Sequence, residues 1–148
     1  MKKTYLLFIL SLFLFSACSG DDDNGNDNEE QDDKDKIEIS ATMKYRSGSN
    51  YLPDNGASLY IFKDFRDYVN YSYVGNGVYQ HKTNGAKVSY TQKAIANNDG
   101  VATMKVDWGQ YSLVVWESAH IAGKYGQNVY EIRKGDKPIK ISNINFEP

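Results

Sequence analysis

Ile37-Glu38-Ile39-Ser40-Ala41-Thr42-Met43-Lys44-Tyr45-Arg46 alternates apolar with polar side chains along its whole length. Successive side chains of a strand point to opposite faces, so this period of two predicts a half-buried strand with one core face and one wet face. The same period recurs downstream. Leu59 and Ile61 follow Asp54-Asn55-Gly56, and Val69, Tyr71 and Tyr73 alternate with Asn70 and Ser72. Ala86, Val88 and Tyr90 alternate with Lys87, Ser89 and Thr91; Ala102, Met104 and Val106 alternate with Thr103 and Lys105. Tyr111, Leu113 and Val115 form the next run, and Val114 with Trp116 makes its other face apolar too, which predicts a central strand. Tyr130 and Ile132, then Ile139 and Ile141, complete the set.

Turn chemistry separates these runs. Asn84-Gly85 and Asp99-Gly100 suit tight hairpins, because each glycine takes the positive φ such a turn demands. Gly75-Asn76-Gly77 and Gly135-Asp136 mark two more breaks. No helical pattern exceeds two turns and no internal repeat is visible. About eight short strands at this spacing predict an all-β fold, an antiparallel β-sandwich. Residues 37–148 hold all of these runs, and 112 residues suit one domain with one core.

The N-terminal third has a different character. Lys2 and Lys3 precede an apolar run from Tyr5 to Phe15, followed by Ser16-Ala17-Cys18. A basic start, a short apolar core and small residues at the cut site predict a secretory signal peptide over residues 1–17. The run is far short of the roughly twenty apolar residues that a membrane-crossing helix needs. Phe15-Ser16-Ala17-Cys18 resembles a bacterial lipobox, with Phe15 in place of the usual Leu. The resemblance implies cleavage before Cys18 and acylation of the new N-terminal cysteine, the chain's only one. Several acyl chains at one end hold a protein to a membrane far more firmly than one chain can.

Residues 18–36 read as the lipidated cysteine and a disordered acidic tether. From Ser19 to Lys36 nine acids face Lys34 and Lys36, and nothing is apolar enough to offset chain entropy. An EF-hand register with Gly25 sixth would make Gly20 the first ligand, which has no carboxylate, so no calcium loop is assigned. Ser19-Gly20-Asp21-Asp22-Asp23 resembles the export stretch that sends some lipoproteins of two-membrane bacteria to the outer face. That resemblance implies a lipid-anchored protein of the outer membrane, facing the exterior. The remaining domain keeps ten acids and thirteen bases. So small an excess, unclustered, gives no argument for nucleic acid as a partner.

One stretch of the domain carries a second resemblance. Asn98-Asp99-Gly100-Val101-Ala102, then Met104 and Val106, then Gly109-Gln110-Tyr111-Ser112-Leu113-Val114-Val115 are similar to the core of a transthyretin-like (prealbumin-like) sandwich. The pattern also occurs in carboxypeptidase regulatory-like domains and in stalk repeats of bacterial surface adhesins. In that arrangement Asp99-Gly100 closes one hairpin, Gly109 ends the next turn, and Tyr111, Leu113 and Val115 face inward with Ala102, Met104 and Val106. The resemblance implies a non-catalytic support or adhesion module. Some adhesin repeats carry a Lys–Asn isopeptide bond, and no such pair is assigned here.

Between Tyr60 and Tyr79 lie Tyr60, Phe62, Phe65, Tyr68, Tyr71, Tyr73 and Tyr79, seven of the domain's sixteen aromatics and well above an even share. Tyrosine is a rigid apolar plane with a polar tip, suited to protein interfaces and to the C–H face of a sugar ring. Strands also favour aromatics for packing alone. Phe65, Tyr68, Tyr71, Tyr73 and Tyr79 are therefore candidate ligand-binding residues, with Phe65 and Tyr68 expected to be the most exposed.

Catalytic patterns are sparse. His81 and His120 lack ligand spacing, no Gly-x-Ser-x-Gly elbow exists, and Gly75-Asn76-Gly77 has Gln80 where a dinucleotide fingerprint needs glycine. No metal site, cofactor or catalytic residue is assigned. Asp64 and Asp67 are the first carboxylate pair to test for glycoside cleavage. The sequence points to a non-catalytic surface binding or adhesion module for a glycan or a protein. Its alternative is a structural or accessory subunit of a larger surface assembly, docking through a strand edge. A carbohydrate-active enzyme trails both.

Overall fold

The computed structural model describes residues 36–148. The signal peptide, Cys18 and the acidic tether up to Asp35 lie outside the described residues. The chain forms an all-β sandwich with eleven strands among the described residues. Three sheets share them.

The first sheet is built on β1 (Lys36–Ser47), the strand of the long alternating run. Its apolar set, Ile37, Ile39, Ala41 and Met43, is buried, while Glu38 and Lys44 are exposed. One edge of β1 is shared by two antiparallel partners. Lys36–Thr42 pairs with β8 (Val101–Asp107), and Lys44–Ser47 pairs with β2 (Asn50–Pro53). Met43 sits at the change of partner, and its N–H still reaches Gly100 O at 2.8 Å while its carbonyl accepts Asp54 N–H at 2.9 Å. The other edge pairs with β11 (Ile139–Phe146), and this pair runs parallel, a departure from the antiparallel expectation. Periodicity marks strands but not their direction, so this pairing could not be read from the runs alone. Ser142 and Asn143 bulge out of the β1–β11 ladder, and Asn143 takes φ +61°, a left-handed conformation that asparagine tolerates.

The second sheet has the order β10 (Tyr125–Ile132), β9 (Gln110–Glu117), β3 (Ser58–Lys63), β7 (Gln92–Ile95), all antiparallel. β3 and β9 are its inner strands, as the two apolar faces of Tyr111–Trp116 predict. The third sheet, β4 (Tyr71–Gly75), β5 (Val78–His81) and β6 (Lys87–Ser89), is small and was not foreseen. A single 3-10 turn, Tyr68–Asn70, leads into it, and Val69 there is 61 % exposed rather than the start of a strand.

Two cores follow from three layers. Ile37, Ile39, Ala41, Met43, Leu59, Ile61, Ala102, Val106, Val114 and Phe146 pack between the first and second sheets. Tyr60, Phe62, Tyr79, Leu113 and Val115 pack on the opposite face of the second sheet, beneath the third. Leu113 and Val115 therefore do not face the sandwich core in register with Ala102 and Val106; Val114 does. Tyr111 likewise lies outside that core, half-buried under the Arg66 guanidinium, 4.5 Å from its ring centre. Both faces of β9 are apolar, so parity within the run could not say which side met which partner. Each fully buried large aliphatic side chain contributes on the order of 2 kcal/mol relative to exposure.

Asn84-Gly85 lies in the loop of the expected hairpin, between the antiparallel pair β5 and β6, but Asp99-Gly100 and Gly109 do not close hairpins. Asn97 N–H bonds Val101 O at 2.9 Å, and Asn97 Oδ1 accepts the N–H groups of Asp99 and Val101, each at 3.0 Å, so a tight turn does form at Asp99-Gly100. The strands it joins, β7 and β8, belong to different sheets. Gly109 serves the same way between β8 and β9. Both turns carry the chain from one layer to the other.

Candidate functional site

The third sheet begins as a hairpin whose turn is set by Asn76-Gly77, both at positive φ (+54° and +67°). That pair of angles is the turn that matches strand twist. Gly77 has a second reason to be glycine: a Cβ there would lie 2.4 Å from the Tyr90 ring and 2.6 Å from the Tyr60 ring. The hairpin tip is tied down by Glu117 at the end of β9. Its Oε2 accepts Tyr73 O–H at 2.7 Å and Asn76 N–H at 3.0 Å, and the Tyr73 oxygen accepts Gly77 N–H at 2.8 Å. Burial and then the Glu117 hydrogen bond hold the Tyr73 hydroxyl well above the ordinary tyrosine value. Burial raises Tyr79 in the same sense.

Around this tie the aromatics nest, most pairs edge to face and two tilted. Phe65 packs on Phe62, Tyr71 and Tyr79 at centroid distances of 5.8, 4.9 and 5.4 Å. Tyr79 meets Phe62 and Tyr73, each at 5.1 Å. Tyr73 then meets Tyr125 of β10 at 4.5 Å. These spacings and tilts are those at which ring quadrupoles attract. The result is an open hollow of about 420 Å³ lined by Tyr68, Tyr71, Tyr73, Tyr79, Tyr125 and Gln127, with Ser72 and Lys82 beside them.

Of the five residues singled out in the sequence, four line this hollow: Tyr68, Tyr71, Tyr73 and Tyr79. Tyr68, Tyr71 and Tyr73 are half-buried and present partial faces to it. Tyr79 is only 2 % exposed and forms the floor; its hydroxyl donates to Gln127 Oε1. Phe65, expected among the most exposed, is half-buried beneath Tyr71 and does not line the hollow; Tyr68 is half-buried as well. Tyr60 and Phe62 are core. Sequence reasoning missed Tyr125 and Gln127, which lie far along the chain and arrive by strand pairing. The signal available was alternation in Tyr125–Tyr130, too polar to stand out. Asp64 and Asp67 do not line the hollow.

A second cluster has the composition of a hydrolytic triad but a different wiring. Asp54 is fully buried, and its carboxylate takes Ser118 O–H at 2.5 Å, Ala119 N–H at 3.2 Å and His120 Nδ1 at 2.7 Å. The Ser118 oxygen in turn accepts the N–H groups of His120 and Ile121. Tyr45 stacks on the His120 ring at 4.1 Å, 3° from parallel. In a nucleophilic triad histidine stands between serine and the acid. Here serine and histidine both bond the acid, which makes the cluster a clasp between the β2–β3 turn and the β9–β10 loop. No group of acidic, histidine or cysteine side chains among the described residues could hold a metal ion.

No family model matches the chain, and no curated protein matches it. Among solved structures, the Bacillus anthracis TIE protein is similar over 73 % of this chain at 15 % identity, with a TM-score of 0.35. The chain spans 16 % of that protein's chain. A likeness at this level carries no argument about topology or function.

Proposed function

We propose that this chain is a non-catalytic binding module held by a lipid on Cys18 at the outer face of an outer membrane, and that the tyrosine hollow binds a glycan. The observation that carries the reading is the hollow itself. It is concave, open, within the size range of small-ligand sites, and lined by tyrosine faces with an amide, a hydroxyl and an ammonium at the rim. Tyrosine faces suit the C–H side of a sugar ring, and the polar groups suit its hydroxyls. A flat protein interface has no need of such a concavity. The lipobox-like and acidic stretches support the address.

Four of the five edge strands of the two large sheets weigh against docking by strand addition, the exception being the seven-residue β8, which pairs only with β1. On β10 the Asn128 Oδ1 accepts the neighbouring Val129 N–H at 2.9 Å, so that donor is already used. On β11 the Asn143 bulge interrupts the ladder. Both are devices that blunt a free edge. β2 and β7 are four residues each, too short to template a partner well.

A sugar array probed with the detergent-solubilised full chain tests the proposal. Saturable binding to a glycan, lost in Tyr68→Ala and in Tyr71→Ala while the thermal midpoint stays measurable, is the expected result. A fixed protein partner that co-purifies with the chain, with no sugar bound, would overturn it.

A further inference from the structure

The tyrosine hollow does not end at Tyr125. That ring, 45 % exposed, also lines a second hollow of about 440 Å³ on the other side of β10. The two hollows meet because β10 alternates. Gln127 points to the tyrosine side, while Asn128 and Tyr130 point to the gap between β10 and β11. Trp116 forms part of the second wall, and its indole lies flat against Gly126. A Cβ at Gly126 would come within 2.3 Å of Trp116 Nε1, so any other residue there would push the ring away. From β11 come the side-chain amides of Asn143 and Asn145.

The second hollow shares aromatic planes with the first, adds the amides of Asn128, Asn143 and Asn145 and the aliphatic Ile141 and Ile144, and carries no charged side chain. In the first, the Lys82 ammonium is engaged with Val69 O at 2.7 Å. That carbonyl takes one of the ammonium's three N–H groups and leaves its charge at the rim, so it is the second hollow that offers an anion no cationic partner. A β10 edge whose Val129 N–H is already bonded is a poor template for a peptide strand. What fits two such hollows joined across one exposed ring is a chain of flat, neutral, hydroxyl-bearing units.

We propose that Trp116, Tyr125, Asn128, Tyr130, Asn143 and Asn145 form a second subsite, so that one neutral oligosaccharide runs over Tyr125 and occupies both hollows. This deepens the glycan reading and rests on it. The ligand is then the interior of a polysaccharide rather than a single sugar.

Tryptophan emission separates the two subsites. In the full chain carrying Trp108→Phe, Trp116 is the one remaining tryptophan, and it lies in the second hollow. Oligosaccharide ladders from cellulose, laminarin and mannan, each from disaccharide to hexasaccharide, are the probes. For at least one ladder the hexasaccharide is expected to bind about tenfold tighter than the disaccharide, the gain of roughly one further aromatic contact. It is expected to shift Trp116 emission where the disaccharide does not. Ser142→Tyr places bulk in the second hollow and should abolish the gain with length while leaving disaccharide affinity within about twofold. Tyr125→Ala, at an exposed position, should lower hexasaccharide affinity even if Ser142→Tyr fails to fold. Equal affinity along a bound ladder with unchanged emission, or a length gain that survives both variants, overturns the second subsite and leaves the first intact. Failure of every ladder to bind overturns both.

Discussion

The two faces of the central sheet use the same backbone for different ends. On one face β3 and β9 contribute Leu59, Ile61 and Val114 to a core of branched aliphatics; on the other they contribute Tyr60, Phe62, Leu113 and Val115 to an aromatic one. The aliphatic face is sealed by a full sheet. The aromatic face is covered by three short strands, and its rings reach daylight at Tyr68, Tyr71 and Tyr73. Branched side chains interdigitate and close a gap, whereas rings meeting edge to face leave flat surfaces at the margin. One face therefore holds the fold, and the other holds the fold at its centre and leaves ring faces open at its rim.

The comparison can be broken first at the aliphatic face. Leu59→Ala removes a fully buried side chain from the sandwich core and should cost about 3 kcal/mol, read as a lowered urea midpoint with the slope unchanged. Sugar affinity of the molecules that remain folded should be unaltered. A loss of affinity in proportion to the loss of stability would show that the faces are not separable.

Tyr73→Phe probes the aromatic face with a smaller effect. It keeps the ring against Tyr79 and Tyr125 but removes the hydroxyl between Glu117 and Gly77, at a cost of about 1 kcal/mol. It also changes the alkaline limb of stability. Tyr73 is held neutral in the folded state, above the ordinary value of 10.0 at which it ionises when unfolded. Above about pH 10 the unfolded chain binds fewer protons, so stability is fully present below that pH and falls as pH rises through it. The fall should be shallower in Tyr73→Phe, measured by urea unfolding at a series of alkaline pH values. An identical slope would remove Tyr73 from the account.

The smallest effect has the opposite sign. Ser112 is fully buried, and its hydroxyl makes no hydrogen bond among the described residues. Ser112→Ala should leave stability unchanged or raise it by up to about 1 kcal/mol. A clear loss would mean that the hydroxyl has a partner after all.

Much of the aliphatic face was legible in the sequence, and little of the rim was. The alternation of Ile37–Arg46 states which side chains of β1 are buried, because only one of its faces is covered. Leu59–Phe62 and Leu113–Val115 state that they are buried on both faces but not against what. Gly75-Asn76-Gly77 announces a break in the chain; nothing nearby announces that it is a hairpin turn folded onto Glu117. Tyr125 lies 52 positions from Tyr73, and pairing between β9 and β10 alone brings it there. Asp54 reads as a turn residue because a turn aspartate and a buried clasp have the same local signature. Its partners Ser118 and His120 are set by tertiary packing.

The chain enters the described sandwich at Lys36, at the end of β1 farthest along that strand from Tyr45, which stacks on His120. From Lys36 to Thr42 the strand is gripped by β8, and from Ile39 onward by β11 as well. Consider a pull on that end directed along the strand axis. The rungs of both ladders then carry the load side by side and must give way together. An opening from the edge would break them one after another at far lower force.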